Sequence, residues 1–135
     1  MTAPRTTADE WDLAVAAGLI RVGAAVALWR RRPALIRMSG GTPDDSVLRA
    51  VFHYFAARDL ALGVATLAST RPGGDVRRLL VVSGAFDTVD GGLIGTLVAR
   101  GRLKRLQGLG AAALAVGTAA SEYAAAWRLG RAVRS

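Results

Sequence analysis

The chain contains no cysteine, one histidine and few aromatic residues, and these absences narrow its chemistry. Without cysteine it can form neither a disulfide framework nor a thiolate metal site. His53 alone makes a transition-metal site a poor expectation. No nucleophile–base pair, phosphate-cradling glycine loop or nucleotide motif occurs in the sequence. We therefore expect no metal and no cofactor, and we name no catalytic residue.

Acidic residues are also scarce relative to basic ones, which leaves a net charge of +8 over 135 residues. Nucleic-acid-binding proteins combine such an excess with a basic stripe and interleaved aromatic residues. Here the basic residues instead cluster at the ends of apolar stretches, in residues 30–32, 77–78, 100–105 and 128–134. Clusters in that position are typical of contacts with anionic lipid head groups. We expect a lipid bilayer as the partner, and no nucleic acid.

Four apolar stretches of about 20 residues dominate the chain, the length a helix needs to cross a hydrocarbon core. They are residues 11–29, 49–69, 79–99 and 107–127. Segments containing proline, glycine or arginine separate them. One segment, residues 42–45, is typical of a helix N-terminus, with a threonine cap and a proline in the first turn. The sequence predicts one all-α domain over residues 1–135, an antiparallel four-helix transmembrane bundle.

A soluble four-helix bundle is the alternative fold. Soluble amphipathic helices carry polar residues along a whole face, whereas residues 60–69, 79–86 and 106–121 contain no charge. The preference for arginine and alanine is typical of a GC-rich bacterium, so we predict a multi-pass protein of the bacterial inner membrane. The arginines that follow the first stretch favour an external N-terminus. Basic residues are nearly balanced between the two ends of the bundle, so dual topology stays open.

Each apolar stretch also carries ionisable residues near its middle, where lipid cannot solvate them. These are Arg21, Arg58, Asp59, Asp87, Asp90 and Glu122. The first five lie within two residues of a midpoint, or about 3 Å in depth, and Glu122 lies about 7 Å from its own. Alternating chain direction preserves these depths. We predict a buried charged layer, with Glu122 slightly outside it.

The helical faces agree with this prediction. Asp87 and Asp90 are i, i+3 neighbours that share a face with Gly91 and Gly95. This small-xxx-small pair allows another helix backbone to approach closely. Arg21 lies on a similar stripe of small residues in the first stretch. The charges are therefore expected where helices meet.

Three interpretations of the Asp87-x-x-Asp90 element stay open. Its acids could pair with Arg21 and Arg58 to fix helix register, bind a cation, a proton or a polar head group, or hold a catalytic metal. An Asp-x-x-Asp-Gly run resembles the start of the CDP-alcohol phosphotransferase signature. In that signature Ala-Arg follows, whereas this chain has Ile94-Gly95 and no second aspartate pair. We therefore reject membership of that enzyme family.

His53 and the tryptophans lie near the ends of the predicted helices. His53 could relay protons, or it could be an interfacial histidine that forms hydrogen bonds. Trp11, Trp29 and Trp127 match the aromatic belts found at membrane–water interfaces. We expect these three rings to mark the membrane boundary and not to form a ligand cage.

Two stretches carry a resemblance to a known group of proteins. One is residues 48–63, with Arg49, Arg58, Asp59 and Gly63, and the other is residues 83–95, with Asp87 and Asp90. With this pattern the chain resembles small four-helix integral membrane proteins of unknown function that are common in actinobacteria. Members often have glycine where this chain has Ala57 and Phe86. The resemblance implies a four-helix membrane fold and no established activity.

Three functions follow as expectations. We predict a non-enzymatic multi-pass membrane protein, either an accessory or assembly subunit or a small-molecule-binding module, which could form homo-oligomers or join a larger complex. The alternative is a small proton-coupled transporter that uses the buried carboxylates. A membrane enzyme with an Asp-x-x-Asp site is third.

Overall fold

A computed structural model describes residues 8–71 and 74–132. Four helices make up this part of the chain, which contains no strand: α1 (Ala8–Met38), α2 (Ser46–Ser69), α3 (Val76–Ala99) and α4 (Arg105–Ala132). The predicted all-α four-helix architecture is confirmed. Each helix is longer than its apolar stretch: α1 and α4 extend beyond it at both ends, and α2 and α3 at the N-terminal end.

Helix α1 differs most from the prediction, which ended it at residue 29. It continues through residues 30–32 and past Pro33 to Met38. A proline inside a helix removes one backbone donor and crowds the preceding turn, but here it does not end the helix. The three arginines therefore lie on a helical surface and not in a loop.

The C-termini of α1 and α3 share one geometry. Gly40 and Gly101 have positive φ values of 92° and 67°. After α1, the Gly41 amide donates to the Ile36 carbonyl at 3.0 Å and the Gly40 amide to that of Arg37. The α3 terminus repeats both bonds. This is the Schellman motif, which glycine favours because its left-handed backbone meets no Cβ.

The N-termini of α2 and α3 are capped by aspartates. The Asp45 carboxylate accepts from the Val47 and Leu48 amides, both at 3.0 Å, and the Asp75 carboxylate accepts from the Arg78 amide at 2.9 Å. The prediction of a threonine cap was wrong. Thr42 uses its carbonyl in the preceding turn, at 2.9 Å from the Asp45 amide. Asp45 is the first residue whose extended backbone aims a side-chain oxygen at the free amides.

The four helices form two antiparallel hairpins. Helix α1 packs along α2 and α3 along α4, whereas only α2 and α3 make more than isolated close contacts between the hairpins. In the first hairpin the backbones of Gly18 and Gly63 nearly touch: a Cβ on Gly63 would lie 2.8 Å from the Gly18 carbonyl oxygen. Gly84 lets Tyr123 and Ala119 approach similarly in the second.

The hairpins are also joined at both ends. At one end the Lys104 amide donates to the Ser39 carbonyl at 2.9 Å, which ties the α3–α4 connection to that between α1 and α2. At the other end a small apolar cluster crosses the gap, formed by Ala14, Val76, Leu80 and Ala126. Between these ends, the predicted charged residues lie in the middle of the bundle.

At mid-bundle the distribution of polarity is the reverse of that in a water-soluble bundle. Charged residues at mid-helix are buried, whereas Ile20 and Leu114 are 70% and 73% exposed. By length and apolar composition alone, one described helix, Val76–Ala99, would suffice to cross a membrane. Helix α1 carries more arginine than α3, and alanine and glycine replace larger apolar residues in α4. Four membrane spans in the inner membrane therefore stay a prediction.

Candidate functional site

Six predicted residues converge in the middle of the bundle, and we refer to them as the ion-pair layer. They are Arg21 of α1, Arg58 and Asp59 of α2, Asp87 and Asp90 of α3, and Glu122 of α4. The side chain of each is about nine-tenths buried or more. All four helices therefore contribute to one charged cluster.

Arg21 connects its own helix to the other three. Its Nη1 donates to Asp59 Oδ1 at 2.9 Å, and its Nη2 donates to Asp87 Oδ2 at 2.7 Å. Its Nε donates to Glu122 Oε1 at 3.2 Å, and its Nη2 also contacts that oxygen. The planar guanidinium presents five donors in a fixed fork, which suits contacts with several carboxylates.

Arg58 forms the second centre of the layer. Its Nη2 donates to Asp59 Oδ1 at 2.5 Å, and its Nη1 lies 3.0 Å from Asp87 Oδ1. The same Nη1 donates to Asp90 Oδ2. Asp59 and Asp87 thus each bridge both arginines, whereas Asp90 is paired with Arg58.

Glu122 belongs to the layer although its sequence depth placed it slightly outside. The reach of its side chain and that of Arg21 closes the difference, as the contact between them shows. Ser83 is buried beside Glu122 on the neighbouring helix α3. A depth count from backbone positions misses such contacts because long side chains span several ångströms along the bundle.

The charges in the layer do not balance. Two guanidinium groups face four carboxylates, so the layer carries two excess negative charges when every group is ionised. Burying charge is unfavourable unless it is paired and hydrogen-bonded. A further positive charge in the layer, whether a proton or a bound cation, would reduce this excess.

Four buried polar side-chain atoms in or beside the layer lack a hydrogen-bond partner among the described residues. They are Nε of Arg58, Oγ of Ser83, Oδ1 of Asp90 and Oε2 of Glu122. Most buried polar groups in proteins are hydrogen-bonded, so each exception indicates a missing partner or a functional role. Asp90, which is 3% exposed, therefore keeps an unused acceptor oxygen inside the bundle.

A cavity of about 400 Å³ lies against the layer, and we name it the interhelical cavity. Arg21, Arg58, Asp59, Asp87 and Asp90 form its charged end. The remaining walls are almost entirely apolar and come from all four helices: Ile20, Ala24, Leu28, Phe52, Phe55, Ile94, Ala111, Leu114, Ala115 and Thr118. Its volume falls in the range of sites that bind small molecules.

The cavity extends from the layer in one direction and opens to one side. Leu28 and Ile94 follow the charged residues of their helices, so the walls continue toward the α1–α2 and α3–α4 connections. Ile20 on α1 and Leu114 on α4 line the cavity and are also highly exposed. Since α1 and α4 make few close contacts, the gap between them forms a lateral opening.

Comparison with protein-family models, curated proteins and solved structures finds no match to this chain. The resemblance to small actinobacterial membrane proteins therefore stays a prediction.

Sequence reasoning missed the aromatic wall. Phe52 and Phe55 both line the cavity, and the Arg58 guanidinium carbon lies 5.9 Å from the centre of the Phe55 ring. Phe52, Phe55 and Arg58 follow one another at a spacing of three residues, which places all three on one helical face. That spacing was the available signal, but it does not distinguish a cavity wall from a packed core.

His53 lies outside the layer. Its ring packs against Trp29, with centroids 5.2 Å apart, and its Nε2 contacts Arg32. Both partners are on α1, which fits an interfacial histidine that joins the first hairpin. A proton relay through His53 stays a prediction. The prediction that Trp29 lies at a helix end was wrong. Its side chain is exposed, but the residue lies within α1.

The structure describes the side chain of only one of the other two tryptophans. Trp127 lies near the end of α4 and is 58% exposed, whereas the side chain of Trp11 lies outside the described residues.

Within the described part of the chain, no cluster of three or more acids and histidines is arranged to hold a metal ion. In the layer, the guanidinium groups of Arg21 and Arg58 lie between the carboxylates.

Proposed function

We propose that this protein is a non-enzymatic, multi-pass membrane protein that binds a small amphipathic molecule in the interhelical cavity. The observation that carries the proposal is a cavity of about 400 Å³ with apolar walls and one charged end. Ligand sites commonly combine a predominantly apolar lining with a few polar groups that orient the ligand. The apolar part of the ligand would occupy the walls, and its polar group would reach the ion-pair layer.

The reversed polarity of the bundle supports the membrane part of this proposal. In water, exposed side chains such as Ile20, Val89 and Leu114 would form apolar patches of the kind that mark interaction surfaces. In lipid the same side chains are well solvated, while the buried position of the charges keeps them away from hydrocarbon. The basic clusters at the helix ends would contact anionic head groups.

The charged residues also explain why the helices would insert together. A central charge costs about 2.5–3.5 kcal/mol on the insertion scale, and α2 carries two such residues, Arg58 and Asp59. Pairing across helices reduces this cost. Helix α1, with 31 residues, is about 46 Å long and exceeds the hydrocarbon thickness of about 30 Å. Its arginine-rich end would therefore reach the head groups.

Membrane insertion can be tested directly because the chain has no cysteine. The protein should resist alkaline carbonate extraction from bacterial membranes. Single-cysteine variants Thr42→Cys and Arg71→Cys lie in connections at opposite ends of the bundle. With an external N-terminus, an impermeant maleimide should label the second from outside and not the first. Release of the protein by carbonate would contradict membrane insertion.

Ligand binding can be tested with three phenyl probes that have the same number of non-hydrogen atoms: benzyltrimethylammonium, neopentylbenzene and 3-phenylpropanoate. At least one should bind saturably to the protein in nanodiscs, with magnetisation transfer to the Phe52 and Phe55 rings. Ala115→Phe, which fills the cavity, should remove this binding. Ala113→Phe is the matched control, because Ala113 is exposed on the same helix and does not line the cavity. Failure of all three probes would contradict the proposal.

A small proton-coupled transporter is the second candidate, favoured by the excess of carboxylates over guanidinium groups in the layer. Transport would require one of these acids to gain and lose a proton. In proteoliposomes, a pH gradient should then drive uptake of a cavity ligand, and Asp87→Asn or Asp90→Asn should abolish it without unfolding the protein. Equal uptake with and without the gradient would contradict this function.

A further inference from the structure

We infer that the interhelical cavity selects a lipophilic monocation, such as a quaternary or protonated amine, and that Asp90 is the residue that contacts its charged head. This inference rests on the proposed binding function and specifies the ligand class. The charge of the layer favours a cation. Because four carboxylates face two guanidinium groups, a bound monocation reduces the buried excess of negative charge, whereas an anion increases it.

Asp90 is distinguished from the other acids by a spare acceptor together with a position on the cavity wall. Its Oδ2 is paired with Arg58, while its buried Oδ1 has no partner among the residues that the structure describes. Asp59 and Asp87 each contact both arginines. Glu122 also has a buried oxygen without a partner among the described residues, Oε2, but it does not line the cavity. Asp90 is thus the carboxylate that combines an unused oxygen with a position on the cavity wall.

The aromatic wall supports a cation as the ligand. The electron-rich faces of aromatic rings attract ammonium groups, and proteins use them to recognise quaternary amines. Arg58 already lies over Phe55 in this geometry, at 5.9 Å. A ligand cation beside Asp90 would share this wall with the arginine. The free Nε of Arg58 could instead favour an anion, but the net charge of the layer opposes it.

The lateral opening supports a lipophilic ligand. The cavity reaches the surface between α1 and α4, where Ile20 and Leu114 are exposed. A molecule with an apolar body could enter there from the bilayer without crossing a polar surface. A strongly hydrated ion would have no comparable route, since the lining away from the layer is apolar.

The inference is tested with the three matched probes in phosphatidylcholine nanodiscs, whose lipid carries no net charge. Benzyltrimethylammonium and neopentylbenzene have the same shape and differ by one positive charge. We expect the cation to bind at least tenfold more tightly than the neutral probe, and 3-phenylpropanoate to show no saturable binding. Ala115→Phe, measured in parallel, corrects for partitioning of each probe into lipid.

Two variants separate the Asp90 contact from the charge of the whole layer. Asp90→Asn should weaken cation binding at least tenfold and leave the neutral probe within twofold. Glu122→Gln removes the same charge away from the cavity lining, so it should weaken cation binding less than threefold. The neutral probe reports whether the cavity persists in each variant.

The outcomes distinguish this inference from the function on which it rests. Equal affinity for the cation and the neutral probe, or tighter binding of the anion, overturns the cation selectivity but leaves a small-molecule site. Equal effects of the two variants, or loss of both probes in Asp90→Asn, overturn the role of Asp90 as the contact residue. Binding of none of the probes overturns the proposed function itself.

Discussion

Arg21 and Glu122 join helices that otherwise make few close contacts with each other. The Arg21 Nε donates to Glu122 Oε1 at 3.2 Å, and its Nη2 reaches the same oxygen. Helices α1 and α4 make at most isolated close contacts, so at mid-bundle the gap between them is bridged by this ion pair. The sparse packing between these two helices leaves room for the interhelical cavity beside the layer.

Replacing Arg21 with methionine should destabilise the fold strongly. Asp59 and Asp87 keep their contacts with Arg58, but Glu122 loses the arginine with which it pairs. Loss of one partner from a buried pair typically costs about 3–5 kcal/mol. Unfolding in mixed detergent micelles would measure the change. Combining it with Glu122→Gln should restore part of the loss, because one unpaired carboxylate is removed. Additive effects in that double variant would contradict the pairing.

The close approach of α1 and α2 should make Gly63→Ala destabilising by about 1–3 kcal/mol, since overpacking forces a backbone shift. The new Cβ would lie 2.8 Å from both the Gly18 carbonyl oxygen and Val22 Cγ2. Gly23→Ala is the matched control, because nothing lies within 4 Å of its Cβ position. The control should be neutral or stabilising by up to about 1 kcal/mol. Equal melting temperatures for the two variants would refute the close contact.

The Asp45 cap should contribute measurably to α2. Asp45→Ala removes the acceptor for the Val47 and Leu48 amides and should cost about 0.5–2 kcal/mol. Hydrogen exchange at those two amides should accelerate. This measurement reports on the individual amides, which global unfolding methods do not resolve. Asp44→Ala, at the exposed preceding position, should leave both exchange rates unchanged. A larger effect of Asp44→Ala than of Asp45→Ala on these exchange rates would show that Asp45 is not the capping residue.

Pro33 should be replaceable with a gain in local stability. Alanine restores the backbone donor that proline lacks inside α1, and proline in a helix interior costs about 3 kcal/mol relative to alanine. Pro33→Ala should therefore slow amide exchange over residues 34–38. Faster exchange there would mean that the proline stabilises this end of α1 by fixing a bend.

Fold class and the depth of the charged residues could both be predicted from the sequence, because they depend on local periodicity. Apolar stretches of helical length define the four helices, and residue position within each stretch sets the depth of Asp87 and Asp90. Helix ends could not be predicted as well. The α1 C-terminus depends on the backbone of Gly40, which overrides the nearer signal from Pro33.

The pairing within the layer is a tertiary property. Five central charges and a nearby Glu122 are evident in the sequence, but which arginine meets which acid depends on helix rotation and side-chain reach. The inclusion of Glu122 and the isolation of Asp90 Oδ1 both follow from these contacts. The sequence alone determined that charges would be buried together at mid-bundle. Only the packing of two loosely joined hairpins decided that a cavity would remain beside them, because empty space has no local signature in a chain.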